Sequence, residues 1–239
     1  MRPLTVAALL LLAVVLAFGL GRKEQSSVVP TGASLPGTTA VSLAGEDRVA
    51  ARERVRRRIA ESNTYLGYSL AEVDSVLRRW RDRSARPLPV YFAPAAVMGY
   101  GESLGSAARD AFTRWERVGA IPVAFEFVRD SARAEVVVKW IESFPIRRTG
   151  QADVVWDFEG WLVHATLTLA THTNDGRVVT PEVAYTVALH EIGHLLGLGH
   201  SDDPADLMYP STSVHDLTAR DRRTARLLYA LPPGSVRGP

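Results

Sequence analysis

The chain has 239 residues, 46% of them hydrophobic and 23% charged, which suits one medium domain with extensions and a sizeable core. It contains no cysteine, so a disulfide framework and any cysteine-ligated metal are excluded. The net charge of +2 is unevenly spread: residues 46–87 carry eleven basic and seven acidic side chains, residues 88–239 fourteen and eighteen, and the acidic balance of the larger part argues against nucleic acid as its partner.

Residues 1–21 place Arg2 ahead of an unbroken apolar run from Val6 to Leu20, the pattern of an export signal or an uncleaved signal anchor. The run is long for a signal core and just long enough to span a bilayer, while Ala17, Gly19 and Gly21 offer cleavage positions. The expectation is an exported protein, secreted or held by a single N-terminal anchor at the outer face of the cytoplasmic membrane. Residues 22–45, rich in Ser, Thr, Gly, Pro and Ala, read as a flexible linker. Residues 46–86 read as a helical extension. Arg48, Arg52, Arg54, Arg56, Arg57 and Arg58 form a solvated basic face. Ser69 and Glu72 have capping-box spacing, and the helix they open aligns Leu70, Val73, Leu77 and Trp80 on one stripe. That stripe either packs on the domain that follows or belongs to a removable segment; the residues leave both open.

The domain itself is expected over residues 87–234. Pro87–Ala93 looks like a first strand, and residues 105–118 a helix with Ala108, Ala111, Phe112, Trp115 and Val118 at helical spacing. Val123–Val128 and Glu135–Ile141 are two further strands. This order predicts an α/β domain with a mixed, mostly parallel twisted sheet and an antiparallel edge strand. Residues 151–157 and 161–170 form a hairpin through Phe158-Glu159-Gly160, and Thr171–Gly176 is a turn-rich loop. Thr180-Pro181-Glu182 opens a helix that runs to about Leu196, with Val183, Val187 and Leu195 turned to the core. Asp216–Ala230 reads as the final helix before Pro232-Pro233-Gly234.

The chemistry concentrates at residues 190–210. His190 and His194, four apart on a helix, face the same way and can share one cation. Glu191 stands beside them, placed to work on a metal-bound water. Gly197 lets the chain leave the helix in a left-handed conformation, after which His200 can return as a third ligand. Three neutral nitrogens with a fourth position open are the pattern of a catalytic zinc, since structural zinc sites are closed.

The extended run H-E-x-x-H-x-x-G-x-x-H, with Ser201 after the third histidine and Met208-Tyr209-Pro210 downstream, resembles the matrixin branch of the metzincin metallopeptidases. Astacin-like and serralysin-like members have Tyr where this chain has Pro210. The resemblance covers roughly residues 87–231. It implies a zinc endopeptidase with one catalytic zinc on His190, His194 and His200, Glu191 as general base, and Met208 as the apolar floor of a Met-turn. It further implies an edge strand that takes extended protein or peptide substrate, assigned to Leu162, Val163, His164 and Ala165 within Leu162–Leu169. Tyr209, Pro210 and the loop 211–216 would wall the specificity pocket, and Asp221 would hydrogen-bond the Met-turn from below. Animal matrixins place a second zinc on the histidine that His164 matches. Its partner ligands are not recognisable here, so His164 is read as a strand histidine without metal. Asn174, Asp175, Asp153, Asp157 and Glu159 could supply oxygens to Ca2+, although turn chemistry explains Asn-Asp-Gly equally well. A cysteine latch is excluded, and a monomer is expected. The competing reading is a non-catalytic metzincin-fold binding module tethered at the cell envelope, against which the intact Glu191 argues.

Overall fold

Strand-forming runs of Val, Phe, Ile and Leu assemble into a five-stranded sheet in a computed structural model that describes residues 38–237. The described elements in chain order are α1 (Thr38–Ala60), α2 (Leu66–Glu72), β1 (Val76–Leu77), β2 (Arg83–Phe92), α3 (Glu102–Val118), β3 (Val123–Val128), a 3-10 turn (Ser131–Arg133), β4 (Val136–Ile141), β5 (Gly150–Trp156), β6 (Leu162–Ala170), α4 (Pro181–Leu195), α5 (Ala219–Tyr229) and β7 (Gly234–Ser235). The sheet order is β3-β2-β4-β6-β5. Within this sheet every pairing is parallel except β5 with β6, which is antiparallel; β1 and β7 pair separately, also antiparallel. The mixed, mostly parallel sheet is thus the expected one, and its antiparallel member is an edge strand.

That member is not the expected segment. Leu162–Leu169 lies on β6, hydrogen-bonded to β4 on one side and β5 on the other, so Leu162, Val163, His164 and Ala165 are not an edge. The reason is burial. Leu167, Thr168, Leu169 and Ala170 are all buried in succession, the continuous pattern of a strand covered on both faces. β5 instead exposes Asp153, Val155 and Trp156 and leaves one side of its backbone unpaired. His164 stands opposite Val155 across the hairpin.

The N-terminal elements also depart from expectation. α1 begins at Thr38, inside the segment expected as linker, and among its described side chains only the last turns reach the core, through Val55 and Ile59. Ser69 and Glu72 do not open a helix; they close one. α2 ends at Glu72, Val73 is exposed, and Ser75 turns the chain with φ 59°. Ser69 does not cap because its side chain is buried against Gly199. Leu77 and Trp80 nevertheless enter the core, as the stripe required, by way of β1 and the segment after it. Ile59, Tyr65, Leu66, Leu77 and Trp80 lie in the same buried cluster as residues of the sheet and of α3 and α4, so extension and domain share a core.

Helices α3 and α4 pack on the sheet and on each other. Ala108, Ala111, Phe112 and Trp115 of α3 are fully buried, and the Trp115 indole donates to the Leu189 carbonyl of α4 at 2.8 Å. In α4 the buried side chains are Ala184, Ala188, Leu189, His190, Ile192 and Leu195, whereas Val183, expected in the core, is exposed. Among the described residues no helix is long and apolar enough to cross a membrane; the apolar run at 1–21 lies outside them.

Candidate metal centre

Helix α4 carries the first two histidines because its start is well defined. The Thr180 hydroxyl accepts from the Val183 N–H, Pro181 stands at the first helical position, and Glu182 complements the dipole. Its end is as well defined. Gly197 has φ 99°, its N–H donates to the His194 carbonyl, and the Leu198 N–H donates to the Gly193 carbonyl at 3.0 Å. This pair of bonds is a Schellman closure, which reverses the chain and returns His200 to the helix face. The ligand-capable nitrogens of His190, His194 and His200 lie within 4.8 Å of one another, the one such cluster among the described residues.

The protonation of the rings follows from their partners. His190 Nδ1 lies 2.8 Å from the Leu207 carbonyl oxygen, and His194 Nδ1 lies 2.8 Å from that of Leu198. A carbonyl oxygen only accepts, so both rings carry their proton on Nδ1 and leave Nε2 as a bare lone pair. The two Nε2 atoms face each other at 3.1 Å. Two unprotonated acceptors at that distance repel unless a cation lies at both, so the donor set fits a metal that takes neutral imidazoles. Burial, with His194 alongside, pushes His190 and His200 down to about 4, and burial also lowers His194. The rings are therefore neutral at ordinary pH, as ligation requires.

Glu191 points to β5. A side chain at Gly150 would meet Val187 Cγ1 at 2.5 Å and Glu191 Oε1 at 3.0 Å, so the edge strand passes directly beside this carboxyl. Burial raises the Glu191 pKa, partly offset by His190 and Arg148. Met208 is fully buried, with its sulfur packed on Gly193 of α4.

Asp221 braces this segment from below, as the resemblance implied, and it also caps a helix. It completes a capping box with Thr218 at the start of α5, and its two oxygens accept the Leu207 N–H at 3.1 Å and the Met208 N–H at 3.3 Å. The loop from His200 to Met208 closes on itself: Ser201 N–H donates to the Met208 carbonyl at 2.9 Å, and its hydroxyl donates to Asp206 at 2.6 Å. Asp206 is buried and also accepts from Thr218 and Arg220. Tyr209 is half-buried and Pro210 exposed, at the start of the 211–216 loop. Arg114 of α3 holds Asp216 at the far end of that loop through two bonds of 2.9 and 2.5 Å.

Several of these residues carry no sequence motif. Tyr65 donates to Asp221 at 3.1 Å from 156 positions away, and Gly150 and Asp206 act by position alone. In the sequence their one signal is an acid five residues after a serine, which resembles ordinary turn chemistry. Three of the five oxygen-bearing residues considered for Ca2+ make hydrogen bonds within the protein. Asp175 binds Thr173 and Arg177, Asp157 caps the hairpin through the Glu159 and Trp161 N–H groups, and Asp153 accepts from Gln151.

A helix-borne histidine pair, a third histidine beyond a glycine turn and a buried methionine packed on that helix are what the metzincin class of metallopeptidase domains is built on. The matrixin family model matches residues 99–230, more than half of the chain, and the chain belongs to that family. Among similar proteins, Metalloendoproteinase 1-MMP of Arabidopsis thaliana is 33% identical over 145 residues, 55% of this chain and 39% of that protein. Matrix metalloproteinase-15 of Homo sapiens is 30% identical over 199 residues, 68% of this chain and 28% of its own length. Metalloendoproteinase 1 of Glycine max is 50% identical over 52 residues, 20% of this chain and 17% of its own. The matched stretches thus span less than two fifths of these relatives.

Proposed function

We propose that this chain is a zinc-dependent endopeptidase that hydrolyses peptide bonds of extended polypeptides, with His190, His194 and His200 holding the metal. The observation that carries the reading is the pair of bare Nε2 atoms facing each other at 3.1 Å, each fixed by a backbone carbonyl behind its ring. Zinc, when bound, supplies a water whose pKa falls towards about 7 and a Lewis acid for the scissile carbonyl.

The protein's own groups do the rest. Glu191 accepts the proton of the attacking water and passes it to the leaving amine. Its raised pKa suits a carboxyl that must both take and return a proton. β5 offers its unpaired backbone side to an extended substrate, which adds as one more strand beside Glu191. Tyr209, Pro210 and the loop that Arg114 pins at Asp216 form the pocket wall beyond the Met-turn. In this reading the protein acts after export, on protein or peptide substrates, as a monomer.

The test is elemental analysis of the purified chain together with a peptide-library digest, with and without a zinc chelator. One zinc per chain and chelator-sensitive cleavage are expected. Glu191→Ala is expected to keep zinc and to lose cleavage by several orders of magnitude. Wild-type cleavage by that variant sinks the assignment of the base, and bound zinc with no chelator-sensitive cleavage of any peptide sinks the peptidase reading in favour of a binding module.

A further inference from the structure

The family match begins at residue 99, yet the metal centre is braced from behind by residues well before it. The Tyr65 hydroxyl donates to Asp221 Oδ1 at 3.1 Å, and Asp221 accepts the Leu207 and Met208 N–H groups. The carbonyl of that same Leu207 receives His190 Nδ1–H at 2.8 Å. One continuous path of hydrogen bonds and a single residue's backbone therefore joins Tyr65 to a candidate metal ligand. Burial, with the Asp221 carboxylate next, pushes the Tyr65 pKa well up, so its hydroxyl stays a donor.

The same stretch touches the other supports of the site. Ser69 Oγ fills the space beside Gly199, the residue before His200. The Arg78 carbonyl lies against Gly197, where the chain turns back from α4. The Trp80 indole donates to the Leu195 carbonyl at the end of α4, at 2.9 Å. Tyr65, Leu66, Leu77 and Trp80 are each at most 1% exposed. Stripping such side chains from a close-packed interior leaves cavities, with the surrounding structure relaxing only in part. A segment with these contacts is part of the wall of the centre.

We propose that Tyr65 is a positioning residue of the metal centre, and that the segment 65–80 carrying it stays with the active chain instead of being cut away as a pro-segment. Tyr65 holds the Asp221 carboxylate in place; Asp221 fixes the Leu207 peptide; the Leu207 carbonyl sets the ring angle and tautomer of His190. Without the hydroxyl, Asp221 keeps its backbone donors but loses the one side-chain donor to it among the described residues. The proposal rests on the three histidines holding a metal.

The test compares the full chain with its Tyr65→Phe variant in three measurements: zinc affinity by chelator competition, the visible spectrum of the cobalt-loaded chain, and the unfolding midpoint of the metal-free chain. Outer partners of metal ligands typically change metal affinity by ten- to a hundredfold. For Tyr65→Phe the expected results are zinc binding weaker by about tenfold, shifted cobalt bands, and a metal-free midpoint that moves little. Unchanged zinc affinity or an unchanged cobalt spectrum overturns the proposal and leaves the metal-centre reading standing. A loss of affinity matched by unfolding of the metal-free variant overturns it as well, since that is a role in stability alone. A wild-type chain that binds neither metal overturns the reading underneath. Independently, mass spectrometry of the mature exported chain is expected to find Tyr65 retained; a zinc-loaded, active chain that begins after Trp80 overturns the proposal.

Discussion

Gly193 sits directly on the sulfur of Met208, so close that a methyl group on Gly193 would overlap it. Both residues are buried, and Trp115 closes the third side. The close approach brings Met208 against α4 one residue before His194. Gly193→Ala should favour the isolated helix by up to about 1 kcal/mol but overpack the floor by about 1–3 kcal/mol. The expected outcome is a net loss of stability, read from denaturant midpoints, together with weaker zinc binding. A variant more stable than wild type with unaltered zinc affinity shows that Met208 does not support the centre.

Gly150 does for the carboxyl what Gly193 does for the floor. A side chain there would press on Val187 and on Glu191 Oε1. Gly150→Ala should push Glu191 out of register while leaving the three histidines alone. Displacement of about 1 Å at a catalytic group can lower the rate by about a hundredfold. A fall in kcat of that order with zinc content intact is expected. Equal loss of zinc would place Gly150 in the support of the ligands instead.

Metal removal has a stability consequence. A metal that binds only the folded chain stabilises it by about 4 kcal/mol at a thousand times its Kd. The facing Nε2 atoms of His190 and His194 make the metal-free site one of opposed lone pairs. Chelation should therefore lower the unfolding midpoint, and added zinc should restore it in a concentration-dependent way. A midpoint indifferent to chelator and zinc contradicts binding at these histidines.

Arg114 and Asp216 supply a pH-dependent tie between α3 and the 211–216 loop. The Arg114 hydrogen bonds hold the Asp216 carboxyl below its ordinary value of 3.8. A depressed folded-state pKa means that the stabilisation is fully present above about pH 4 and is lost as pH falls through the lower folded value. Both groups are partly exposed, so the pair contributes under about 1 kcal/mol. Asp216→Asn should show a shallower loss of stability in acid than wild type and nearly equal stability at neutral pH. Identical acid profiles rule the pair out as a contributor.

Local signals in the residue order determined the candidate centre and most of the scaffold under it. Ligand spacing on a helix is a local property, and so are the Thr180 cap, the Gly197 turn and the Phe158-Glu159-Gly160 turn of the hairpin. They could be read because each depends on neighbours within a few positions. Tertiary structure alone decided the rest. Which strand of the hairpin lies at the sheet edge depends on what β4 pairs with, and β4 chose β6. Whether Ser69 caps a helix or packs on Gly199 depends on a contact 130 positions away. The role of residues 65–80 is of the same kind. Their hydrogen bonds to Asp221 and Leu195 cross more than a hundred residues, and burial of Tyr65 and Trp80 makes those bonds obligatory, because a desolvated donor must find its acceptor wherever the fold brings one.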